Sequence, residues 1–391
     1  MNKKIRVVQI IAGFSVGDLG GGSELFGIRM AESLAREQFD VALCCLWSYD
    51  TPVERRWHRA IAAQGIPIFY GAPFRDTIRI DTASAFAGCY RQIRRWRADI
   101  INTHNEFADI VGVALRLTGA APLLVRTGHT ELEWTFQPRL GRLMHMLYPF
   151  ICTQEMAVSQ AIVKLLDQRW SARLAQAHAQ YAHNGVDAEV VQAQRTGKDM
   201  RAAFGIGADT PLFGTVARIS PQKGLPYLVQ AMQHVRNMLP NAQLLIVGKG
   251  EKTDELRAQI AELGLDDAIT LLGARTDVID IVDSLDVFVL PSLWEGLPTV
   301  VLEAMLVGTP VVATDVPGTR DLVLDGQTGL LVPPRDPHAL AQAMLQHYAQ
   351  GQCAHAMARA AEVHAEQFAM RHTVKRYAKL YRQLYERYLQ A

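Results

Sequence analysis

The chain has 391 residues, long for one hydrophobic core and comfortable for two domains of ordinary size. An apolar fraction of 49% with 20% charged residues excludes wholesale disorder, and a net charge of +1 gives no bulk argument for binding nucleic acid. The five cysteines, Cys44, Cys45, Cys89, Cys152 and Cys353, form neither a C-x-x-C pair nor a regular framework. That argues against a zinc site or a disulfide scaffold and fits a reducing cytosol.

The N-terminus opens with Lys3, Lys4 and Arg6 ahead of an apolar run, as an export signal would. Gln9 interrupts that run, and a Gly-rich stretch from Gly13 follows without a cleavage pattern, so a buried parallel strand fits better. No stretch reaches the roughly 18–20 apolar residues of a spanning helix. Short β-branched runs then alternate with longer helical patterns, the signature of a parallel sheet covered by helices. In the first half the runs are Ile5–Ile11, Val41–Trp47, Ile66–Tyr70, Ile100–Thr103, Leu123–Thr127 and Ile151–Val158, with helical patterns such as Leu25–Glu37 and Ala83–Arg97 between them. In the second half they are Leu212–Val216, Ala242–Val247, Ala268–Leu271, Val287–Leu290, Val311–Ala313 and Gly329–Val332. Between the two series lies Tyr181–Asp187, with an Asn-Gly turn signal, followed by a polar stretch, Gln192–Arg201, that reads as a surface connection. The domains are therefore placed at 1–188 and 189–370. A terminal helix, 371–391, carries Tyr377, Tyr381, Tyr385 and Tyr388 on one face for packing.

Three segments and one histidine carry chemistry. Ser292–Met305 follows a strand and a proline, so it starts at the carboxyl end of a parallel strand, where open α/β sheets bind ligands. Gly296 permits close backbone approach, and Pro298 suits a first helical turn. The N–H groups of Leu297, Thr299 and Val300 then point a positive helix end at the crevice, a place that favours phosphate. Glu295 and Glu303 lie eight positions apart, about two helical turns, so both carboxylates can face one cleft. The loop Gly214–Gly224 carries Arg218 and Lys223 behind another strand, a fork and a point charge suited to a diphosphate. Gly20–Glu24 places glycines, including Gly21 and Gly22, before a helix, but without a dinucleotide fingerprint. His129 stands directly after the strand Leu123–Thr127. Each feature alone has a bland structural explanation; their combination points to a diphosphate ligand. No D-x-D motif follows a strand, so Arg218, Lys223 and the helix end would neutralise a leaving diphosphate without metal.

These residues resemble the retaining GT-B glycosyltransferases of family 4, the glycosyl transferases group 1. The resemblance rests on Glu295-x7-Glu303, ARISPQKG, GTPVVATDVPGTRDLV from Gly308 to Val323 and DGQTGLLVPP from Asp325 to Pro334, with GGSE, His129 and NGVD in support. It implies an α/β protein of GT-B architecture: two facing Rossmann-like domains around a central cleft, an N-terminal acceptor domain, a C-terminal donor domain, and a last helix crossing back to the first. It further implies that Arg218 and Lys223 bind the donor pyrophosphate and that Glu303 holds the ribose. Glu295, with the backbone of Gly296, Leu297, Pro298 and Thr299, would contact the transferred sugar and the β-phosphate. Gly21 and Gly22 would line the phosphates, His129 would approach the sugar, and Arg275–Val278 would lie near the base.

The activity so implied is retaining transfer from a nucleotide sugar, UDP first and GDP second, with no cofactor. Glu295 would sit among sugar hydroxyls, which favours a front-face route over double displacement. The expected acceptor is a glycan or lipid-linked carrier in cell-surface polysaccharide synthesis at the cytoplasmic membrane face. Three basic–aromatic segments could meet anionic lipid: Arg91–Arg97 around Trp96, Arg55 and Arg56 beside Trp57, and Pro138–Phe150. A small soluble acceptor, a nucleotide-sugar epimerase and a non-catalytic nucleotide-binding regulator remain as alternatives.

Overall fold

The computed structural model describes residues 4–14, 22–37, 39–75, 78–134 and 137–391. The chain divides into two compact units, Met1–Asn184 with Arg371–Ala391, and Gly185–Met370. The N-terminal unit ends four residues before the position 188 read from the sequence. Gly185 packs against the backbone of Met370 so closely that a Cβ there would lie 2.4 Å from its Cα, so this tight crossing, not the start of the next helix, begins the second unit.

In the N-terminal unit, strands β1 (Arg6–Ile11), β2 (Asp40–Ser48), β3 (Ile68–Pro73), β4 (Ile100–Thr103), β5 (Leu123–Gly128), β6 (Gln154–Ala157) and β7 (Gln180–Tyr181) form one parallel sheet in the order β3-β2-β1-β4-β5-β6-β7. On one face of its central strands Val8, Ile10, Cys44, Leu46, Ile101 and Leu124 are buried with Ala85, Cys89 and Val111 from the helices, while the opposite face also buries the polar Gln9, Asn102 and Thr127. The helical patterns appear as Gly22–Arg36 and Ile78–Trp96. The expected strand from Ile151 is shorter: the helix Pro138–Ile151 runs through its first residue, and β6 starts only after Thr153 has bonded to Leu124 through backbone and hydroxyl. The two-residue β7 has no counterpart among the expected strands and reaches only the first residue of the Tyr181–Asp187 stretch.

In the C-terminal unit, β8 (Leu212–Val216), β9 (Gln243–Val247), β10 (Ile269–Gly273), β11 (Val287–Leu290), β12 (Val311–Thr314) and β13 (Leu330–Val332) pair in parallel in the order β10-β9-β8-β11-β12-β13. Phe213, Leu244, Ile246, Val289 and Val312 pack beneath Leu228, Met232, Leu340 and Met344. The stretch expected as a plain connection holds two short helices, Ala188–Gln194 and Met200–Ala203, because Val191 and Met200 are buried.

Each sheet reverses its strand order once, between β1 and β4 and between β8 and β11. Those two positions are where the loops leaving the carboxyl ends diverge and leave a crevice. The terminal helix, Met370–Gln390, packs on the N-terminal unit and buries Tyr377 and Tyr381, while Tyr388 at its far end stands in solvent.

Candidate active site

In the C-terminal unit the loops after β8 and β11 meet at the switch point. Lys223 closes a single turn of 3-10 helix, Pro221–Lys223, and its Nζ lies 2.5 Å from Oε1 of Glu295. Ser292 donates to the same oxygen at 2.6 Å, with both partners buried. The loops are also joined through backbone: Leu293 N–H donates to Gln222 C=O at 2.8 Å, and Gln222 Nε2 to Trp294 C=O at 3.0 Å. Thr314, ending β12, donates to the Ser292 carbonyl. Two glycines make this closeness sterically feasible. Gly224 has φ +60 and would place a Cβ 2.1 Å from the Pro291 oxygen; Gly318 would place one 2.5 Å from the Gly296 oxygen. The sequence reading assigned no role to Ser292, Thr314 or Gly318, although all lay inside its motifs.

Helix geometry differs from the expectation. The helix is Thr299–Leu306, and Pro298 is its N-cap with φ −76 and ψ 102, not a residue of its first turn. Glu295 therefore precedes the helix by a full loop, and the argument from two helical turns does not connect it to Glu303, which sits half-buried in the second turn. Pro298 gives this helix start no side-chain cap, so the positive end keeps its polarity toward the loop. Gly296, Leu297 and Pro298 are buried beneath it, and Thr299 is half-buried. Arg218 is not drawn into the Lys223–Glu295 pair: its side chain is 56% exposed, 3.8 Å from Glu251. Arg275 binds Asp277 with both arms, at 2.9 and 2.6 Å, and its guanidinium lies 5.6 Å from the Phe204 ring centre.

In the N-terminal unit Gly22 opens the helix Gly22–Arg36 and is exposed, whereas Gly21 lies outside the described residues. His129 follows β5, and the structure joins it to a histidine the sequence reading passed over. His129 Nε2 is 3.3 Å from His104 Nδ1, and His104 Nε2 is 2.7 Å from Gln9 Oε1. His104 follows β4 as His129 follows β5, so the same strand-end signal could have found it. Burial, and then Arg126, push the His129 imidazole down to about 3; burial, and then His129, lower His104. Both rings are neutral at physiological pH.

Beneath His129 lies a buried ionic cluster. Arg126 on β5 is 1% exposed and bonds Asp109 at 2.7 Å, Glu155 at 3.1 Å and Glu133, with Tyr148 stacked 4.3 Å from its guanidinium. Burial pushes Glu133 up to about 7, against the pull of Arg126. Glu133 sits four residues past His129, so this cluster pins the segment that carries the imidazole.

Two family models cover most of the chain: Glycosyltransferase Family 4 over residues 20–190 and Glycosyl transferases group 1 over 197–364. A phosphatidyl-myo-inositol mannosyltransferase of Mycolicibacterium smegmatis is 30% identical over 364 residues, 88% of this chain and 86% of that protein. The Escherichia coli UDP-Gal:alpha-D-GlcNAc-diphosphoundecaprenol alpha-1,3-galactosyltransferase is 26% identical over 355 residues, 88% of both. Among solved structures, Anabaena HepE in complex with UDP-glucose superposes with a TM-score of 0.80 at 22% identity, covering 96% of this chain and 99% of that one, which shows the shared GT-B fold. The chain belongs to glycosyltransferase family 4, with a C-terminal group 1 domain, and is a glycosyltransferase.

Proposed function

We propose that this enzyme transfers a sugar, with retention, from a nucleoside-diphosphate sugar to a lipid-linked or glycan acceptor in cell-surface polysaccharide assembly. The donor is a UDP-sugar first and a GDP-sugar second. The observation that carries this reading is the Lys223–Glu295–Ser292 cluster at the C-terminal switch point, beside a helix start with no side-chain cap. An ammonium has three donors, and Glu295 takes one, so Lys223 is held ready for a diphosphate oxygen. Arg218 is the second phosphate ligand, arriving from solvent, and Glu303 binds the ribose. Glu295, with the backbone of Gly296–Thr299, meets the sugar and the β-phosphate. Gly21, Gly22 and His129 serve the phosphates and the sugar from the N-terminal domain.

Glu295 is bound through one oxygen to both Lys223 and Ser292, which suits a carboxylate that orients hydroxyls better than a nucleophile. The front-face route follows: the glycosidic C–O bond to phosphate breaks, the acceptor oxygen bonds the same face, and the departing phosphate oxygen takes the acceptor's proton. Cationic side chains carry the developing charge in this reading, with no metal. A covalent sugar trapped on Glu295 would overturn the route.

The lipid-linked acceptor is supported by the diphosphoundecaprenol and phosphatidyl-myo-inositol substrates named for two relatives. It is also supported by a surface feature. Of the three basic–aromatic segments, only Pro138–Phe150 exposes a row of large apolar side chains, Leu143, Met146, Leu147 and Phe150, beside exposed Arg139 and Arg142. In the others, Trp57 and Trp96 are half-buried. Among the described residues no helix is long and apolar enough to cross a membrane, so the proposed contact, at the cytoplasmic face, is peripheral.

The test is thermal-shift screening against UDP, GDP, ADP and dTDP and their common sugars in EDTA. Stabilisation by one nucleotide, lost in Lys223→Ala and Glu303→Ala, is the expected result. No response from folded protein to any nucleotide would sink the donor-site reading; turnover on a soluble acceptor alone would replace the lipid-linked one.

A further inference from the structure

Gln9 is a polar residue at the centre of β1, 0% exposed, in a strand otherwise apolar from Val7 to Ile11. Burying an amide costs free energy unless all its groups are paired. Here they are. Its Oε1 accepts from Asn102 Nδ2 at 3.1 Å and faces His104 Nε2 at 2.7 Å, while its Nε2 donates to Tyr381 OH at 3.4 Å. Asn102 is fixed in turn: its Oδ1 accepts from Thr127, whose hydroxyl also meets Tyr377 OH at 3.0 Å. The chain of bonds runs across β1, β4 and β5 and ends on the terminal helix.

This arrangement dictates where protons sit on the two imidazoles. An amide oxygen accepts only, so His104 Nε2 must carry its hydrogen. A neutral ring then leaves His104 Nδ1 bare, and the His129 Nε2 facing it must donate. His129 Nδ1 is left unprotonated, and it has no hydrogen-bond partner among the described residues although it is buried. Both rings are closely packed. Phe26 lies edge-on to both, with centroids at 5.5 and 5.1 Å, and Gly27 leaves so little space that a Cβ there would come 3.0 Å from His104.

We propose that Gln9 is a positioning residue: acting through His104, it holds His129 as the Nε2–H tautomer and keeps the Nδ1 lone pair as the one place where the ring can accept a hydrogen bond. Tyr381 and Tyr377 brace that setting from the terminal helix. The ring assignment stands on the hydrogen bonds between two neutral rings; its value for catalysis rests on the proposed role of His129 at the sugar.

The experiment is long-range proton–nitrogen NMR of the full chain with nitrogen-15 in histidine rings, signals assigned by loss in His104→Asn and His129→Asn. Wild type should show His129 with a pyrrole-like Nε2 and a pyridine-like Nδ1. In Gln9→Glu a carboxylate faces His104 Nε2, His104 takes a second proton from solvent, and its Nδ1–H donates to His129. The His129 proton should then move to Nδ1. In Gln9→Met, which keeps volume but offers no acceptor, the two His129 tautomers should mix, as they should in part in Tyr381→Phe if Gln9→Glu does not fold. A protonated Nδ1 in wild type, or a His129 pattern unchanged in the Gln9 variants, would overturn the assignment. In turnover assays Gln9→Glu should lower kcat at least tenfold with nucleotide stabilisation unchanged. A wild-type protein that ignores every nucleotide would defeat the functional reading and leave the NMR result to stand by itself.

Discussion

Lys223 and Glu295, 72 positions apart in the chain, form an ion pair of 2.5 Å across the point where the C-terminal sheet reverses its strand order. Both are largely withdrawn from water, with side chains 18% and 6% exposed. Removing one partner of such a pair strands the other in a poorly solvated site. Lys223→Ala should therefore lower kcat/KM by roughly 10²–10³-fold, the effect of losing one preorganised donor to developing charge. It should also lower the melting temperature. Glu295→Gln, which keeps the Ser292 bond but no charge, should cost less stability. Steady-state kinetics with paired melts separates the two effects.

Gly224→Ala tests the loop junction. The substitution forces a side chain onto φ +60 and drives Cβ to 2.1 Å from the Pro291 oxygen. The left-handed backbone alone costs about 1–2 kcal/mol, and relief of the clash must move Pro291 and with it the Glu295 loop. Expected are a melt several degrees lower and weakened nucleotide stabilisation, read in one thermal-shift series. An unchanged nucleotide response would show that the two loops move independently.

His347 is a stability liability. It is 1% exposed in the helix Pro337–Ala349, and neither ring nitrogen has a partner among the described residues. Burial pushes its imidazole down to about 4, against about 6.5 in the unfolded chain. Unfolding therefore takes up a proton between those values, so stability falls as pH drops from about 6.5 toward 4 and is unaffected above about 7. His347→Leu should raise the melting temperature and remove one proton's share of the acid slope, measured by denaturant melts from pH 7 to 5.

Arg126 answers three buried carboxylates at once, Asp109, Glu133 and Glu155. Arg126→Met leaves them facing one another, with Arg169 bonded to Glu155 and the His145 ring 3.4 Å from Glu133. The loss should be roughly 3–5 kcal/mol, read by urea denaturation of the full chain. Adding Glu133→Gln should recover part of it.

The apolar row on the helix Pro138–Ile151 predicts vesicle binding. Leu143 and Phe150 are 47% and 53% exposed, so Leu143→Glu with Phe150→Glu should leave the fold intact and abolish sedimentation with anionic vesicles. Arg139→Ser with Arg142→Ser should weaken binding by roughly 1 kcal/mol per charge and reduce its salt dependence. Binding that ignores all four changes would place the lipid contact elsewhere.

The architecture was legible in the sequence because parallel strands buried on both faces are local apolar runs, and helices with turns separate them. Ile100–Thr103, Leu212–Val216 and Val287–Leu290 match residue for residue. Motif chemistry was legible for a related reason: Lys223 and Glu295 each sit just past a strand, and strand ends are where parallel sheets bind ligands. The start of β6 was not, because Ile151 is apolar enough for either strand or helix, and only the packing of the helix before it decides.

What the sequence determined by itself, then, is the two-sheet plan and the segments that carry charge to its edges, since both follow from periodicity and turn chemistry over a few residues. Only the tertiary structure decided which of those residues meet. It paired Lys223 with Glu295 and left Arg218 in solvent. It started the helix at Thr299, so the eight positions from Glu295 to Glu303 do not run along one helix. And it turned Gln9, an interruption in an apolar run, into the hub that joins His104 to the terminal helix. Hydrogen bonds between residues 95 and 372 positions apart depend on strand order and on the docking of the last helix, and neither is written in any local stretch of chain.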